Sequence, residues 1–196
     1  MRSKELRSKE LRSKEMRRLG LCLLMLVVLV LTGCGGEEQI SRDYLCRFTF
    51  NTLFHPTSKI VTAVTSPGYF VWIEMERKNG IWHVKVHPAD QSGDEDIALT
   101  TDEEDRPTYE LGAYNGIILG STNFNGPIAF DRQCPNCLQN TGMFNSPLTW
   151  SKKTMEVECD RCDHSYSLET GANLQGGPRL MQYIVRVKAN NITVMN

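Results

Sequence analysis

Hydrophobic and polar residues alternate in short runs over residues 44–196, and Gly, Pro, Asn and Asp separate the runs. Such a pattern is typical of short strands joined by turns. The runs predict strands over residues 70–75, 82–86, 116–120, 128–130, 155–159, 183–187 and 192–194. Lys78-Asn79-Gly80 and Asn190-Asn191 are predicted as turns between neighbouring strands. We therefore expect an all-β domain built mainly of antiparallel sheets.

Two segments of this domain depart from the alternating pattern. Residues 58–65 predict a short helix with Ser58 as its N-cap. Residues 90–106 are acidic and nearly free of apolar side chains, so we expect a long exposed loop there. Asp94-Glu95-Asp96 lacks the ordered ligand spacing of a calcium loop, which favours a solvated loop over a calcium site.

Residues 1–33 have a different pattern. A charged repeat over residues 2–15 and Met16-Arg17-Arg18 precede an apolar run from Leu19 to Leu31. This run is shorter than the ~20 residues of a membrane span and has the length of a signal-peptide core. It ends in Leu31-Thr32-Gly33-Cys34, which resembles the lipobox of bacterial lipoproteins. The resemblance implies lipidation of Cys34 as the first mature residue, and the alternative is an uncleaved anchor.

The lipobox resemblance divides the chain into three parts. Residues 1–33 are the expected signal peptide, residues 34–43 the lipidated cysteine with a flexible tether, and residues 44–196 a single domain. The implied location is the bacterial cell envelope, outside the cytoplasm, with the membrane as a partner through the lipid. Gly35-Gly36-Glu37-Glu38 is similar to surface-export signals of some Gram-negative lipoproteins, which favours the outer membrane and is compatible with surface exposure.

Signal-peptide removal changes the charge of the protein. Residues 1–33 hold 8 of the 22 basic residues and 3 of the 23 acidic residues, which leaves 14 basic and 20 acidic residues. This acidic excess argues against nucleic acid as a partner.

Candidate chemistry is concentrated in two Cys-x2-Cys pairs, Cys134 with Cys137 and Cys159 with Cys162, separated by 21 residues. We expect each pair on a tight turn, so that the four sulfurs converge as a tetrahedron of thiolates. The candidate occupants are zinc, a single iron or an all-cysteine [2Fe–2S] cluster. Disulfides are the alternative, because an extracytoplasmic compartment is oxidising. Cys46, close to two phenylalanines, is expected as a buried free thiol.

The residues around these cysteines resemble the two ligand loops of Rieske domains. Matching positions are Cys159, Tyr166, Thr170-Gly171, Gly177-Pro178, Leu180, Tyr183 and Val185 for the second loop and its following strand, and residues 128–135 for the first. The resemblance covers residues 110–196. It implies a small β-sandwich with a ligand-loop subdomain over about residues 128–180, and an electron-transfer role with a redox partner.

The chain departs from the Rieske pattern at the histidines. A Rieske centre uses two cysteines and two histidines, whereas Asn136 and Cys162 stand at the histidine positions here. His164 is either a hydrogen-bond donor behind the ligands or an exposed turn residue. The other histidines, His55, His83 and His87, are distant in sequence and are not expected as ligands.

Hydrolytic chemistry has no candidate residues in this sequence. Ser146 and Ser151 lack a glycine elbow, and Glu156 and Glu158 share one face of a predicted strand. Two functions stay open. The chain is either a non-enzymatic envelope lipoprotein with a structural metal centre and an envelope partner, or an electron-transfer protein with an iron centre.

Overall fold

The computed structural model describes residues 40–114 and 116–196. The strands in these residues are β1 (Cys46–Asn51), β2 (Phe70–Lys78), β3 (Ile81–Pro88), β4 (Glu95–Leu99), β5 (Glu110–Leu111), β6 (Gly116–Thr122), β7 (Gly126–Asp131), β8 (Thr149–Trp150), β9 (Glu156–Glu158), β10 (Ser165–Ser167), β11 (Gln182–Lys188) and β12 (Asn191–Met195). The helices are α1 (Lys59–Thr65), α2 (Asp102–Asp105) and α3 (Pro135–Thr141). The all-β class is confirmed. The expected signal peptide, Cys34 and residues 35–39 lie outside the described residues.

Nine strands form one antiparallel sheet in the order β4-β3-β2-β6-β7-β11-β12-β1-β5. Strand β11 divides its pairing, because Gln182 and Tyr183 pair with β7 whereas residues 184–188 pair with β12. The two ends of the sheet meet at Tyr109, whose ring lies 5.6 Å from that of Trp82 on β3 and 6.2 Å from that of Phe48 on β1. The sheet therefore folds over at β11 and encloses one apolar core.

Strand β6 is buried at every position because both faces of the sheet are covered there. Ile117 and Leu119 lie in the core enclosed by the sheet. Ile118 points the other way, into a second core that includes Cys134, Cys137 and Cys159. Gly120 lets the ring of Phe70 lie against the backbone, since a Cβ at residue 120 would come within 2.1 Å of that ring.

The predicted helix over residues 58–65 is confirmed as α1. The Ser58 hydroxyl accepts a hydrogen bond from the backbone N–H of Ile60 and so caps the first turn. The helix buries Ile60, Ala63 and Val64 in the core enclosed by the sheet. None of the helices in the described ranges is long and apolar enough to cross a membrane.

The prediction of a long loop over residues 90–106 is wrong. Strand β4 pairs with β3, and α2 follows with a capping box between Thr101 and Glu104. Alternation explains the strand: Leu99 is buried and Ile97 packs against the core, whereas Asp96 faces outward and accepts a hydrogen bond from Lys85. The high acidic content hid this two-residue period.

The two predicted turns have different outcomes. The turn after Lys78 is confirmed, and Asn79 and Gly80 both have the positive φ values of a tight hairpin. The second turn lies one residue earlier than predicted, because Asn191 already pairs with Lys188 in the ladder. Ala189, with φ of 50°, takes the left-handed position instead.

Candidate metal centre

The first cysteine pair lies at the start of α3. Cys134 is the N-cap residue, Pro135 occupies the first turn and Cys137 is in the helix. Gly142, with φ of 66°, ends the helix in the left-handed conformation. The expected tight turn is therefore wrong for this pair. Proline at a helix start and glycine just past its end are the signals that would have predicted the helix.

The second cysteine pair lies on the tight turn expected for it, between β9 and β10. The backbone N–H of Cys159 donates to the carbonyl of His164 at 3.0 Å, and the N–H of Asp163 donates back to the carbonyl of Cys159 at 2.9 Å. Asp163 takes the left-handed conformation that closes the turn, with φ of 56°. These bonds fix the direction of both side chains of the pair.

All four sulfurs lie within 4.8 Å of one another. The separation is 3.6 Å between the Sγ atoms of Cys134 and Cys162, and 3.7 Å between those of Cys137 and Cys159. A tetrahedral ion with bonds of ~2.3 Å to sulfur requires sulfur separations of ~3.8 Å. The four cysteines therefore have the geometry that a metal ion needs. No two of the described cysteines are at the ~2.05 Å of a disulfide bond, and all of them are free thiols.

The electrostatics of the four thiols also suit a cation. Burial raises the pKa of Cys134 and that of Cys137. Ser146 lowers the pKa of Cys137, but burial has the larger effect. Burial acts the same way on Cys162. There, however, hydrogen bonds from the His164 backbone and the Asn136 side chain lower the pKa to about 6. One thiolate beside buried thiols attracts a positive ion, which would in turn deprotonate its other ligands.

Two hydroxyl groups lie at the sulfurs. The phenol oxygen of the buried Tyr166 is 3.4 Å from the Sγ atom of Cys134. The hydroxyl of Ser146 is buried close to the Cys137 sulfur, and an interaction between the two lowers the pKa of that thiol. A thiolate would accept hydrogen bonds from both groups. The residues present therefore fit a bound cation better than four neutral thiols.

His164 lies beside Cys162, and its ring interacts with both the backbone and the side chain of that cysteine. Its Nδ1 atom lies 2.9 Å from the carbonyl oxygen of Cys162, and this hydrogen bond raises the pKa of His164. Its side chain is half-buried, so the simple picture of an exposed turn residue does not describe it. The other three histidines lie beside carboxylates and not in the four-cysteine group: His55 beside Glu104, His83 beside Asp96 and His87 beside Asp94.

Sequence reasoning missed Gln133, which is fully buried just before the first pair. Its amide nitrogen donates to the carbonyls of Cys134 and Met143 at 3.2 and 2.9 Å. Its amide oxygen accepts from the backbone N–H of Ser146 at 3.2 Å. Gln133 thus ties the start of α3 to the loop that follows it. From the sequence alone, a buried glutamine that links two segments cannot be distinguished from an exposed glutamine beside a cysteine motif.

Asp131 is a second buried polar residue that the sequence did not reveal. Its carboxylate accepts hydrogen bonds from the Tyr183 hydroxyl at 2.7 Å and from the backbone N–H groups of Ala113 and Gln133, both at 2.6 Å. Burial nevertheless raises the pKa of Asp131 to about 6. The carboxylate joins β11, the end of β7 and the segment before β6 at the point where the chain enters the first pair.

An aromatic stack attaches the region with the cysteines to the large sheet. The rings of Trp72 on β2 and Trp150 on β8 are parallel, with centroids 5.1 Å apart. The guanidinium of Arg132 lies 3.9 Å from the Trp72 ring and pairs with Glu74. The small sheet, in the order β10-β9-β8, is therefore held against β2 by the stacking of Trp150, and Arg132 adds a cation–π contact to Trp72 from the segment that follows β7.

Comparisons of the chain with known protein families, curated proteins and solved structures find no match. The residues themselves therefore carry the functional argument.

Proposed function

We propose that this protein is a lipid-anchored component of the bacterial cell envelope whose β-domain binds one structural metal ion through Cys134, Cys137, Cys159 and Cys162. The observation that carries the proposal is the mutual approach of the four sulfurs, all within 4.8 Å. The lipobox-like residues before Cys34 support the anchor. Zinc is the preferred ion, because four thiolates in a closed tetrahedron form a typical structural zinc site.

The sulfur separations favour one ion over a [2Fe–2S] cluster. In such a cluster each iron carries its own pair of cysteines, and ligands of different irons are more than ~5 Å apart. Every separation in this site is shorter than that. A single zinc or a single iron therefore fits better, even though the loops are proposed to belong to a Rieske-like frame.

A structural role is supported by the composition of the second core. Cys134, Cys137 and Cys159 are buried members of that core, together with apolar residues of β6, β7, β9 and β10. Few regular hydrogen bonds hold this region, because β8, β9 and β10 have only two or three residues each. Binding energy at the four thiolates would therefore stabilise the fold directly.

Electron transfer by a single iron is the second candidate, and the partial exposure of Cys162 favours it. This cysteine alone among the four is not fully buried, so its sulfur offers a short path from a metal to a redox partner at the surface. Hydrogen bonds to its sulfur would also stabilise the charge of the centre.

Visible absorption separates the two candidates. The mature protein is purified from the envelope without added metal, and its spectrum is recorded before and after dithionite and then after a strong chelator. The structural proposal expects a colourless protein that loses its cooperative thermal transition when the metal is removed. Visible bands that bleach reversibly with dithionite would establish the iron alternative instead. A colourless protein whose melting is insensitive to metal removal would refute both.

A further inference from the structure

The loop after α3 exposes two neighbouring apolar side chains beside the metal centre. Met143 is 42% exposed and Phe144 is 54% exposed. The loop is fixed to the first cysteine pair, because the backbone N–H of Met143 donates to the carbonyl of Cys137. On the other side the Met143 sulfur lies 3.0 Å from a guanidinium nitrogen of Arg161, next to the second pair. The 143–144 loop is therefore an apolar tip held in place by both pairs.

The same tip lies beside the N-terminal end of the described chain. The ring of Phe144 contacts that of Tyr44 edge to face, at 5.9 Å between centroids. Ser41 donates its backbone N–H to Gln182, and both Ser41 and Tyr44 accept hydrogen bonds from Asn196. Residues 40–44 are thus fixed to the sheet, and their last residue touches the tip.

The length of chain between this point and the proposed lipid is short. Cys34 precedes Ile40 by six residues, and six residues span at most ~21 Å. A lipid on Cys34 would therefore keep the membrane surface close to residues 40–44. The exposed charges of Arg42 and Asp43 offset each other, so that apolar burial rather than charge would carry a contact with lipid.

We infer that the 143–144 loop inserts into the lipid surface next to the anchor. This inference rests on the proposed lipidation of Cys34. Met143 and Phe144 enter the interfacial region of the bilayer, where an aromatic ring and a flexible thioether are both favourable. The lipid on Cys34 and the loop then hold the domain at two points, with the metal centre at the membrane side. Insertion is reversible and needs no spanning segment.

Phe124 provides a matched control on the same domain. It is 89% exposed, more than Phe144, and lies in the turn between β6 and β7. This turn lies away from the start of the described chain. Ile40 pairs with Gln182, and Gln182 pairs with Phe130 near the end of β7. Gly126, at the start of β7 next to the turn, is four residues or ~13 Å from Phe130 along the strand. A general affinity of exposed phenylalanine for lipid would show at Phe124 as well.

The test uses the mature lipoprotein in vesicles of phosphatidylethanolamine and phosphatidylglycerol that contain a phospholipid with a diazirine in its acyl chain. After irradiation, peptide mass spectrometry locates the label and also reads the lipid mass on Cys34. We expect the peptide with Met143 and Phe144 to carry about tenfold more label than the peptide with Phe124. The Phe144→Ser variant should lose most of the label on Met143, and Phe124→Ser should not.

The outcomes separate the inference from the proposal beneath it. Lipidated Cys34 with equal label on both peptides, or with label on the Phe124 peptide alone, overturns the insertion of the 143–144 loop and leaves the anchor intact. An unmodified Cys34 overturns the anchor and the inference together. Loss of label on Met143 in the Phe124→Ser variant also contradicts the inference, because that residue lies at the other end of β7.

Discussion

The buried carboxylate of Asp131 provides a prediction in which two opposing effects can be weighed. Three hydrogen bonds favour its charged form, yet complete burial raises its pKa from 3.8 to about 6. A carboxyl whose pKa is higher in the folded than in the unfolded chain stabilises the fold most at low pH. That contribution is lost as the pH rises from about 4 through about 6. At 1.36 kcal/mol per unit, the loss amounts to about 3 kcal/mol.

The Asp131→Asn variant has no carboxyl group to titrate. Its amide nitrogen would face a backbone N–H group, and two donors cannot form a hydrogen bond, so we expect the variant to be less stable than the wild type at pH 4.5. Between pH 4.5 and 7.5 the wild type should lose stability relative to the variant, and the difference in unfolding free energy should narrow by about 2 kcal/mol, because part of the effect is already lost below pH 4.5. Urea unfolding of both proteins across this pH range measures the difference in unfolding free energy. A pH dependence of metal binding that both proteins share cancels in that difference.

Glu103→Gln, on the exposed first turn of α2, is the control for the loss of one negative charge. A difference between wild type and Asp131→Asn that widens as the pH rises would refute the reasoning. It would mean that the hydrogen bonds of Asp131 outweigh its burial.

Three further substitutions test the packing and the metal centre. Cys159→Ser removes a ligand and should abolish metal retention with a large fall in melting temperature, whereas Cys46→Ser should cost far less, and equal losses in thermal melts would count against the site. Gly120→Ala forces a Cβ into a buried ring and should cost about 1–3 kcal/mol in urea unfolding. Gly116→Ala in the same strand meets only ordinary contacts, and an equal cost there would disprove the packing argument. Gln133→Leu leaves two carbonyls and one N–H without their partner and should lower both stability and metal retention; a wild-type melt would show that water replaces its amide.

Alternation of apolar residues predicted most of the large sheet, because these strands bury one face or both. The β2–β3 hairpin follows directly from its two-residue period and its Asn79-Gly80 turn. Strand β4 was not predicted, because its outward positions are acidic and only Ile97 and Leu99 indicate the inward face. The number of charged residues in a segment does not reveal the two-residue alternation of a strand, whereas the individual positions do.

The cysteines were the part of the site that spacing could reveal. Spacing alone indicated that Cys134, Cys137, Cys159 and Cys162 converge, and the sulfur separations agree with that prediction. What holds them could not be predicted, because Asp131 and Gln133 act through contacts with chain segments distant in sequence. The stack of Trp72 on Trp150 likewise joins residues 78 positions apart, and no local pattern carries that information.

The central claim is that the four cysteines hold one metal ion. Metal content by mass spectrometry and free thiols by alkylation, both measured on the same sample of mature protein taken directly from the envelope, test it most directly. The proposal predicts one equivalent of metal per chain, bound to Cys134, Cys137, Cys159 and Cys162, with all four alkylated only after the metal is removed. A metal-free protein in which these cysteines form two disulfides would contradict it.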